Sequence, residues 1–131
     1  MRQEQDERPV VLVVEDDADV RGLAAALLEE VPLRVVEADN AEEAVAYLRA
    51  HAGKVAMVFT DVRLPGRLDG VDVAQVAQSL SPSTRVVVTS GHAGERLSAL
   101  PRGATYMAKP WRALDVLVQA EKAALGQAAA L

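Results

Sequence analysis

The chain of 131 residues is long enough for one domain of ordinary size and too short for two. Half of its residues are hydrophobic, which excludes an intrinsically disordered chain, and the lack of cysteine excludes disulfides, thiolate metal sites and cysteine nucleophiles. The net charge of -5 argues against direct binding of nucleic acid, because phosphate contacts require clustered lysine and arginine.

The N-terminal segment, residues 1–9, is polar and of mixed charge, unlike a signal peptide. We therefore expect a flexible tail at 1–9, followed by one domain over residues 10–131. No apolar run approaches the roughly 18 residues that a membrane span needs. The expectation is a cytoplasmic protein that does not insert into a membrane.

The first half of the domain alternates between strands and amphipathic helices. Val10–Val14 (VVLVV) is a continuous apolar run, typical of a strand buried on both faces. A helix follows and ends before Pro32. Its predicted core face consists of Val20, Leu23, Ala24, Leu27, Leu28 and Val31. Residues 33–37 are of mixed polarity, which predicts an edge strand, and Asn40 with Glu43 resembles a capping pair at the start of a second helix.

The second half continues the alternation. Three further strands are predicted at 55–60, 85–89 and 105–108. A third helix starts at Asp69, the segment 95–100 holds at most a short helix, and a last helix runs from about Trp111. The predicted anchors of that last helix are Leu114, Leu117, Val118 and Leu125. Five strands alternating with helices predict an α/β fold, a doubly wound parallel sheet with helices on both faces.

Polar side chains follow four of these strands, at the edge where such sheets bind ligands. They are Glu15, Asp16 and Asp17 after the first strand, Asp61 after the third, Thr89 and Ser90 after the fourth, and Lys109 after the fifth. Gathered carboxylates repel one another, and Mg²⁺ together with a lysine would balance them. An aspartate that faces a metal, a lysine and a threonine is equipped to attack a phosphoryl group. Taken singly, the acidic pair could be a helix cap and Asp61 an Asx turn, so the prediction depends on the joint arrangement.

Four stretches of sequence resemble the response-regulator receiver domains of two-component signalling. They are VLVVEDDADVR (11–21), VFTDVRLPG (58–66) with LDG (68–70), VVVTSG (86–91) and YMAKPW (106–111). The resemblance covers nearly the whole chain and implies the flavodoxin-like strand order 2-1-3-4-5. It implies a module that phosphorylates and dephosphorylates itself without being a turnover enzyme.

The resemblance also implies a metal site and a phosphoacceptor. Asp61 matches the phosphoacceptor of the family. Glu15 and Asp16 match the acidic pair that holds Mg²⁺, together with Asp61 and the backbone carbonyl of Arg63. Asp17 is expected to start the first helix instead.

A second group of matching residues implies the switch and its partners. Thr89 matches the switch hydroxyl, Tyr106 the switch aromatic and Lys109 the lysine of the site, with Lys109–Pro110 expected to be cis. The phosphoryl donor would be a histidine kinase or a histidine phosphotransfer protein. A downstream protein would contact the face of the fourth helix, fifth strand and fifth helix, at about Ala93–Leu100, Tyr106 and Trp111–Gln119.

The sequence departs from the compact receivers in two places. The loop after Asp61 is one residue longer, with Arg67 inserted. The segment from Thr89 to Lys109 is shorter, so the fourth helix is expected to be short or irregular.

The residues are compatible with more than one kind of receiver-like protein. Met1 and the alanine-rich C-terminal end favour a stand-alone receiver over a receiver excised from a hybrid histidine kinase. A phosphate-independent binding module is a third possibility, although Asp61, Asp16, Thr89 and Lys109 argue against it. An aspartyl phosphohydrolase is the least favoured, because Arg63 replaces the usual acid.

Overall fold

The computed structural model describes residues 6–91 and 96–129, which form one five-stranded parallel sheet with helices on both faces. The strands are β1 (Val10–Val14), β2 (Arg34–Ala38), β3 (Val55–Asp61), β4 (Arg85–Ser90) and β5 (Thr105–Ala108). The helices are α1 (Ala18–Leu28), α2 (Ala41–His51), α3 (Gly70–Leu80) and α4 (Ala113–Ala129), and two 3-10 turns lie at Ala52–Lys54 and Leu97–Ala99. In the described part of the chain, no helix is both long and apolar enough to cross a bilayer.

The strand order is β2-β1-β3-β4-β5, and every pair is parallel, which confirms the predicted fold class and order. The mixed-polarity strand β2 lies at one edge, as predicted, and β5 lies at the other. Asp61 pairs in register with Thr89, and Ser90 pairs with Ala108. Since Val14 of β1 pairs with Thr60 of β3, the carboxyl ends of the four strands that precede the predicted site lie side by side.

The apolar residues form two core clusters, one on each face of the sheet. In β1, Val10, Leu12 and Val14 point into the cluster shared with α2 and α3. Val11 and Val13 point into the other cluster, shared with α1 and α4. The continuous apolar run of β1 is explained by this burial on both sides.

Three helices begin at the capping residues that the local sequence provides. The Asp17 side chain accepts hydrogen bonds from the backbone N–H groups of Asp19 and Val20, so Asp17 starts α1 as predicted. Asn40 accepts from the Glu43 N–H at 2.8 Å. Asp69 forms a complete capping box with Asp72 at the start of α3.

The predicted core faces of two helices were partly wrong. Leu23 of α1 is 65% exposed, and Leu114 of α4 is 70% exposed. Val118 and Leu125 of α4 are exposed as well. The residues of α4 that are buried against the sheet are Val116, Ala120 and Ala123. Alanine carries too little hydrophobic surface to mark a face by pattern, but its small side chain allows a helix to pack close to a sheet.

The connection between β4 and β5 contains one 3-10 turn in its described part, which agrees with the expectation of a short or irregular helix at 95–100. Two side chains, Arg96 and Gln75, tie the turn to α3. Arg96, whose φ of 48° is left-handed, donates to Asp69 Oδ2 at 2.8 Å, and Gln75 Nε2 donates to the Ala99 carbonyl at 2.8 Å. Residues 93–95 of the predicted partner surface lie outside the described residues.

Candidate functional site

Two carboxylates reach the edge of the sheet from its two central strands. Asp61 is the last residue of β3 and is 7% exposed. Glu15 directly follows β1 and is 5% exposed, and its N–H donates to the Ala38 carbonyl of β2 at 3.1 Å. The N–H of Val62 donates to the Thr89 carbonyl at 3.0 Å, which continues the β3–β4 ladder past Asp61. The backbone that carries both acidic side chains is therefore fixed by regular sheet hydrogen bonding.

Lys109 bridges these two carboxylates. Its Nζ lies 2.9 Å from Glu15 Oε1 and 2.9 Å from Asp61 Oδ2. The backbone of Lys109 is fixed by a 2.9 Å hydrogen bond from its N–H to the Ser90 carbonyl, and the Lys109–Pro110 bond is cis, as predicted. Asp16 completes the acidic cluster, since one carboxylate oxygen from each of Glu15, Asp16 and Asp61 lies within 4.8 Å of the others.

The charges of this cluster are only partly balanced. Burial raises the pKa of Glu15, although the hydrogen bond from Lys109 opposes this effect. Burial also lowers the pKa of Lys109, but its hydrogen bonds to Asp61 and Glu15 outweigh this and raise the pKa overall. The lysine therefore stays protonated at neutral pH, and it supplies one positive charge to a cluster of three carboxyl groups.

The donor set of the cluster fits Mg²⁺. Carboxylate and carbonyl oxygens are the ligands that this hard cation prefers, and a cluster with excess negative charge supplies the attraction. Arg63, whose backbone carbonyl is expected from the family resemblance to bind the same ion, follows Asp61 by two residues in the β3–α3 loop. The residues present thus suit the cofactor that the sequence predicted.

The two predicted switch residues lie beside the cluster, on β4 and β5. Thr89 is buried, and its Oγ1 has no hydrogen-bond partner among the residues that the structure describes. Tyr106 is exposed, and its hydroxyl donates to the Ser90 carbonyl at 3.3 Å. Thr89 is opposite Asp61 in the register, and Tyr106 is opposite Val88, the neighbour of Thr89.

Sequence reasoning missed the role of Arg21 of α1. Its Nη1 donates to the Glu15 carbonyl at 2.9 Å, and its Nε donates to Glu37 Oε1 at 3.2 Å. This side chain fastens the loop that carries Glu15 and Asp16. Little in the sequence indicates this contact, because Arg21 is a charged residue on an amphipathic helix and such residues usually face solvent.

An apolar groove that borders the acidic cluster was also missed. Its volume is about 440 Å³, and its lining residues are Val20, Leu23, Lys109, Pro110 and Trp111. Trp111 packs edge-on against Phe59, with ring centroids 5.7 Å apart. The helical spacing of Leu23 predicts a core position, so its location on this exposed surface was not expected.

Comparison with known proteins gives a consistent result. A family model described as the response regulator receiver domain matches residues 11–121. The response regulator receiver protein CpdR of Brucella abortus is 30% identical, with 86% of this chain and 93% of that protein covered. The nitrogen assimilation regulatory protein NtrX of Azorhizobium caulinodans is 32% identical over 86% of this chain, which spans 25% of that longer protein. In fold, a crystal structure of a response regulator receiver protein from Sinorhizobium medicae matches with a TM-score of 0.83 at 24% identity, covering 92% of this chain and 98% of the other.

Proposed function

Because the chain belongs to the response regulator receiver domain family of two-component systems, we propose that Asp61 accepts a phosphoryl group from a histidine kinase or a histidine phosphotransfer protein. The observation that carries the proposal is the position of Asp61, buried at the end of a central strand with Lys109 Nζ at 2.9 Å and two further acids beside it. The receiver domain would comprise residues 10–131, with 1–9 as a preceding tail. Members of this family are signalling modules rather than typical enzymes.

In the transfer step, a carboxylate oxygen of Asp61 forms a bond to phosphorus as the phosphorus–nitrogen bond of the donor histidine breaks. The electron pair of that bond remains on the imidazole nitrogen. Lys109 would stabilise the negative charge on the phosphoryl oxygens, since its ammonium group is already held between Asp61 and Glu15. Mg²⁺, held by Glu15, Asp16, Asp61 and the carbonyl of Arg63, would supply the remaining positive charge.

The conformational response would begin at Thr89. An aspartyl phosphate adds acceptor oxygens next to this residue, whose buried hydroxyl has no partner in the described part of the chain. A hydrogen bond from Thr89 Oγ1 to a phosphoryl oxygen would favour conformations in which Thr89 lies closer to Asp61. The populations of the Tyr106 conformations would shift with it. The surface that changes would include Tyr106, residues 96–100 and residues 111–119, where a downstream protein would bind.

The donor protein would contact the apolar groove beside Lys109. A phosphohistidine must reach Asp61 directly, so the donor has to cover the surface that borders the acidic cluster. The exposed Leu23 and the half-buried Trp111 give this surface its hydrophobic contact area. Kinases that phosphorylate histidine with ATP act in the cytoplasm, so the proposal implies that location.

Intact-mass analysis after incubation with phosphoramidate and Mg²⁺ tests the assignment. We expect the wild type to gain one phosphoryl group and Asp61→Asn to gain none. Asp39→Asn is a matched control, because Asp39 also follows a strand at the same edge of the sheet, yet its carboxylate accepts from the neighbouring Asn40 side chain. Equal incorporation in Asp61→Asn and the wild type would disprove Asp61 as the acceptor.

A further inference from the structure

The β3–α3 loop, residues 62–69, is held at its tip by Glu42 of α2. Glu42 Oε2 accepts hydrogen bonds from the backbone N–H groups of Arg67 at 2.9 Å and Leu68 at 3.2 Å. Gly66 has a left-handed φ of 99°, and a Cβ at that position would lie 2.8 Å from Glu42 Oε1. The carboxylate therefore lies against the backbone of three successive loop residues.

The electrostatics of this contact favour the ionised carboxylate. A hydrogen bond from the backbone N–H of Glu42 itself, followed by those of Arg67 and Leu68, lowers the pKa of the Glu42 carboxyl group. Glu42 is consequently an anionic acceptor throughout the neutral range. Charge-assisted hydrogen bonds of this type are shorter and stronger than neutral ones.

The two ends of the same loop are joined to each other and lie against the last residue of β3. Gly70 N–H donates to the Val62 carbonyl at 2.8 Å, and a Cβ at Gly70 would overlap the Asp61 carbonyl oxygen. The first residue of α3 is thus in direct contact with the backbone of Asp61. With its ends fixed there and its tip fixed by Glu42, the loop has little freedom to change the position of Arg63.

We propose that Glu42 is a positioning residue for the metal site, acting through the loop that carries the Arg63 carbonyl. This inference rests on the proposed function, in which that carbonyl is a ligand of Mg²⁺. Arg67, the residue by which the loop exceeds that of compact receivers, is one of the two whose N–H Glu42 binds. The contact therefore holds the added residue of the loop against α2.

Glu43 provides a matched control on the same helical turn. It carries the same charge, it is also exposed, and its side chain has no hydrogen bond or ion pair among the described residues. Both residues lie in the first turn of α2, so their effects on the helix dipole are alike. A difference between Glu42→Ala and Glu43→Ala consequently reports the contact with the loop.

The test titrates Mg²⁺ into the wild type and the variants, without a phosphoryl donor, while amide chemical shifts are recorded. We expect Glu42→Ala to raise the dissociation constant of Mg²⁺ about fivefold, less than the roughly 10–100-fold lost with a direct partner of a metal ligand, because Glu42 acts through the backbone of the loop. Glu43→Ala should equal the wild type, and Glu42→Gln, which keeps an acceptor oxygen of the same reach, should recover most of the affinity. Equal affinities of Glu42→Ala and Glu43→Ala for Mg²⁺ would overturn the inference. An affinity of Glu42→Gln for Mg²⁺ as low as that of Glu42→Ala would overturn it as well.

A second measurement separates this inference from the proposed function. The rate of self-phosphorylation with phosphoramidate is measured as a function of Mg²⁺ concentration. Glu42→Ala should require about fivefold more Mg²⁺ for its half-maximal rate, with a maximal rate close to that of the wild type. A wild type that binds Mg²⁺ but takes no phosphoryl group would disprove the proposed function, whereas the Mg²⁺ titration alone would decide the role of Glu42.

Discussion

Replacing Lys109 by methionine should destabilise the protein, because it removes the cation between two buried carboxylates. Oxygens of Glu15 and Asp61 lie within 4.8 Å of each other, and each is 2.9 Å from the ammonium group. At an effective dielectric constant of about 20, two like unit charges at that separation repel by about 3.5 kcal/mol. Removing one partner of a buried ion pair typically costs about 3–5 kcal/mol. Since the Lys109 side chain is 26% exposed, we expect the lower end, about 3 kcal/mol.

Urea unfolding at pH 7 without divalent cations, followed by circular dichroism, measures this loss. The double variant Glu15→Gln/Lys109→Met should recover about 2 kcal/mol, because it removes one of the two unpaired charges. A loss below about 1 kcal/mol in Lys109→Met would refute the reasoning, as would a double variant no more stable than the single one.

The pH dependence of Lys109→Met gives a further check on its cause. The pKa of Glu15, already raised by burial, should rise further once the hydrogen bond from Lys109 is lost. A carboxyl group whose pKa is higher in the folded state destabilises the fold while it is ionised. The free energy of unfolding of the variant, relative to the wild type, should therefore increase as the pH falls from 7 through the folded pKa of Glu15.

Three other predictions concern the fold, and urea unfolding tests each of them. Leu28→Ala should lower the free energy of unfolding by about 3 kcal/mol, whereas Leu23→Ala on the same helix should change it by less than about 0.5 kcal/mol, so similar losses would contradict the described burial. Gly70→Ala should lower the free energy of unfolding by more than about 3 kcal/mol, because the added Cβ would overlap the Asp61 carbonyl. Gly22→Ala, in open space within α1, should raise the free energy of unfolding by about 0.5–1 kcal/mol. Asp69→Ala should lower the free energy of unfolding by about 1–2 kcal/mol through loss of the capping box. An unchanged urea midpoint of unfolding would contradict that role.

The strands could be predicted from the sequence almost to the residue. The first four strands are short runs rich in valine, and β1, β3 and β4 are covered on both faces, so their apolar runs are uninterrupted. Because parallel strands end at one edge, the residues after them could also be predicted to lie together. The order of the strands came from the family resemblance, since periodicity contains no information on which strands are neighbours.

The helix faces were harder to predict, because alanine-rich helices have an ambiguous pattern. In α4 the spacing of Leu114, Val118 and Leu125 indicated a core stripe, yet these side chains face outward. The buried face is formed by Val116 and two alanines, whose weak hydrophobicity is compensated by close packing on β3 and β4. Only the tertiary structure decides between two such faces.

The supporting contacts of the site could not be predicted at all. Glu42 meets the loop at Arg67, 25 residues further along the chain, and Arg21 reaches the carbonyl of Glu15 across the first turn of α1. Both residues are charged positions on exposed helix surfaces, where no pattern separates a positioning residue from a solvated one. Their contacts depend on how α1 and α2 are placed against the ends of the strands.

Lys109 reaches the acidic cluster from the edge of the sheet, whereas the carboxylates follow its central strands. β5 has four residues and lies at the end of the sheet next to β4, and one 3-10 turn is found in residues 96–104 before it. Edge elements with few hydrogen bonds open at lower free energy than the core, so amide hydrogens of β5 should exchange sooner than those of β1 and β3. Each such opening would carry Lys109 away from Glu15 and Asp61. Hydrogen exchange in β5 and the ionisation of Glu15, whose carboxylate Lys109 pairs, are therefore coupled through one local equilibrium.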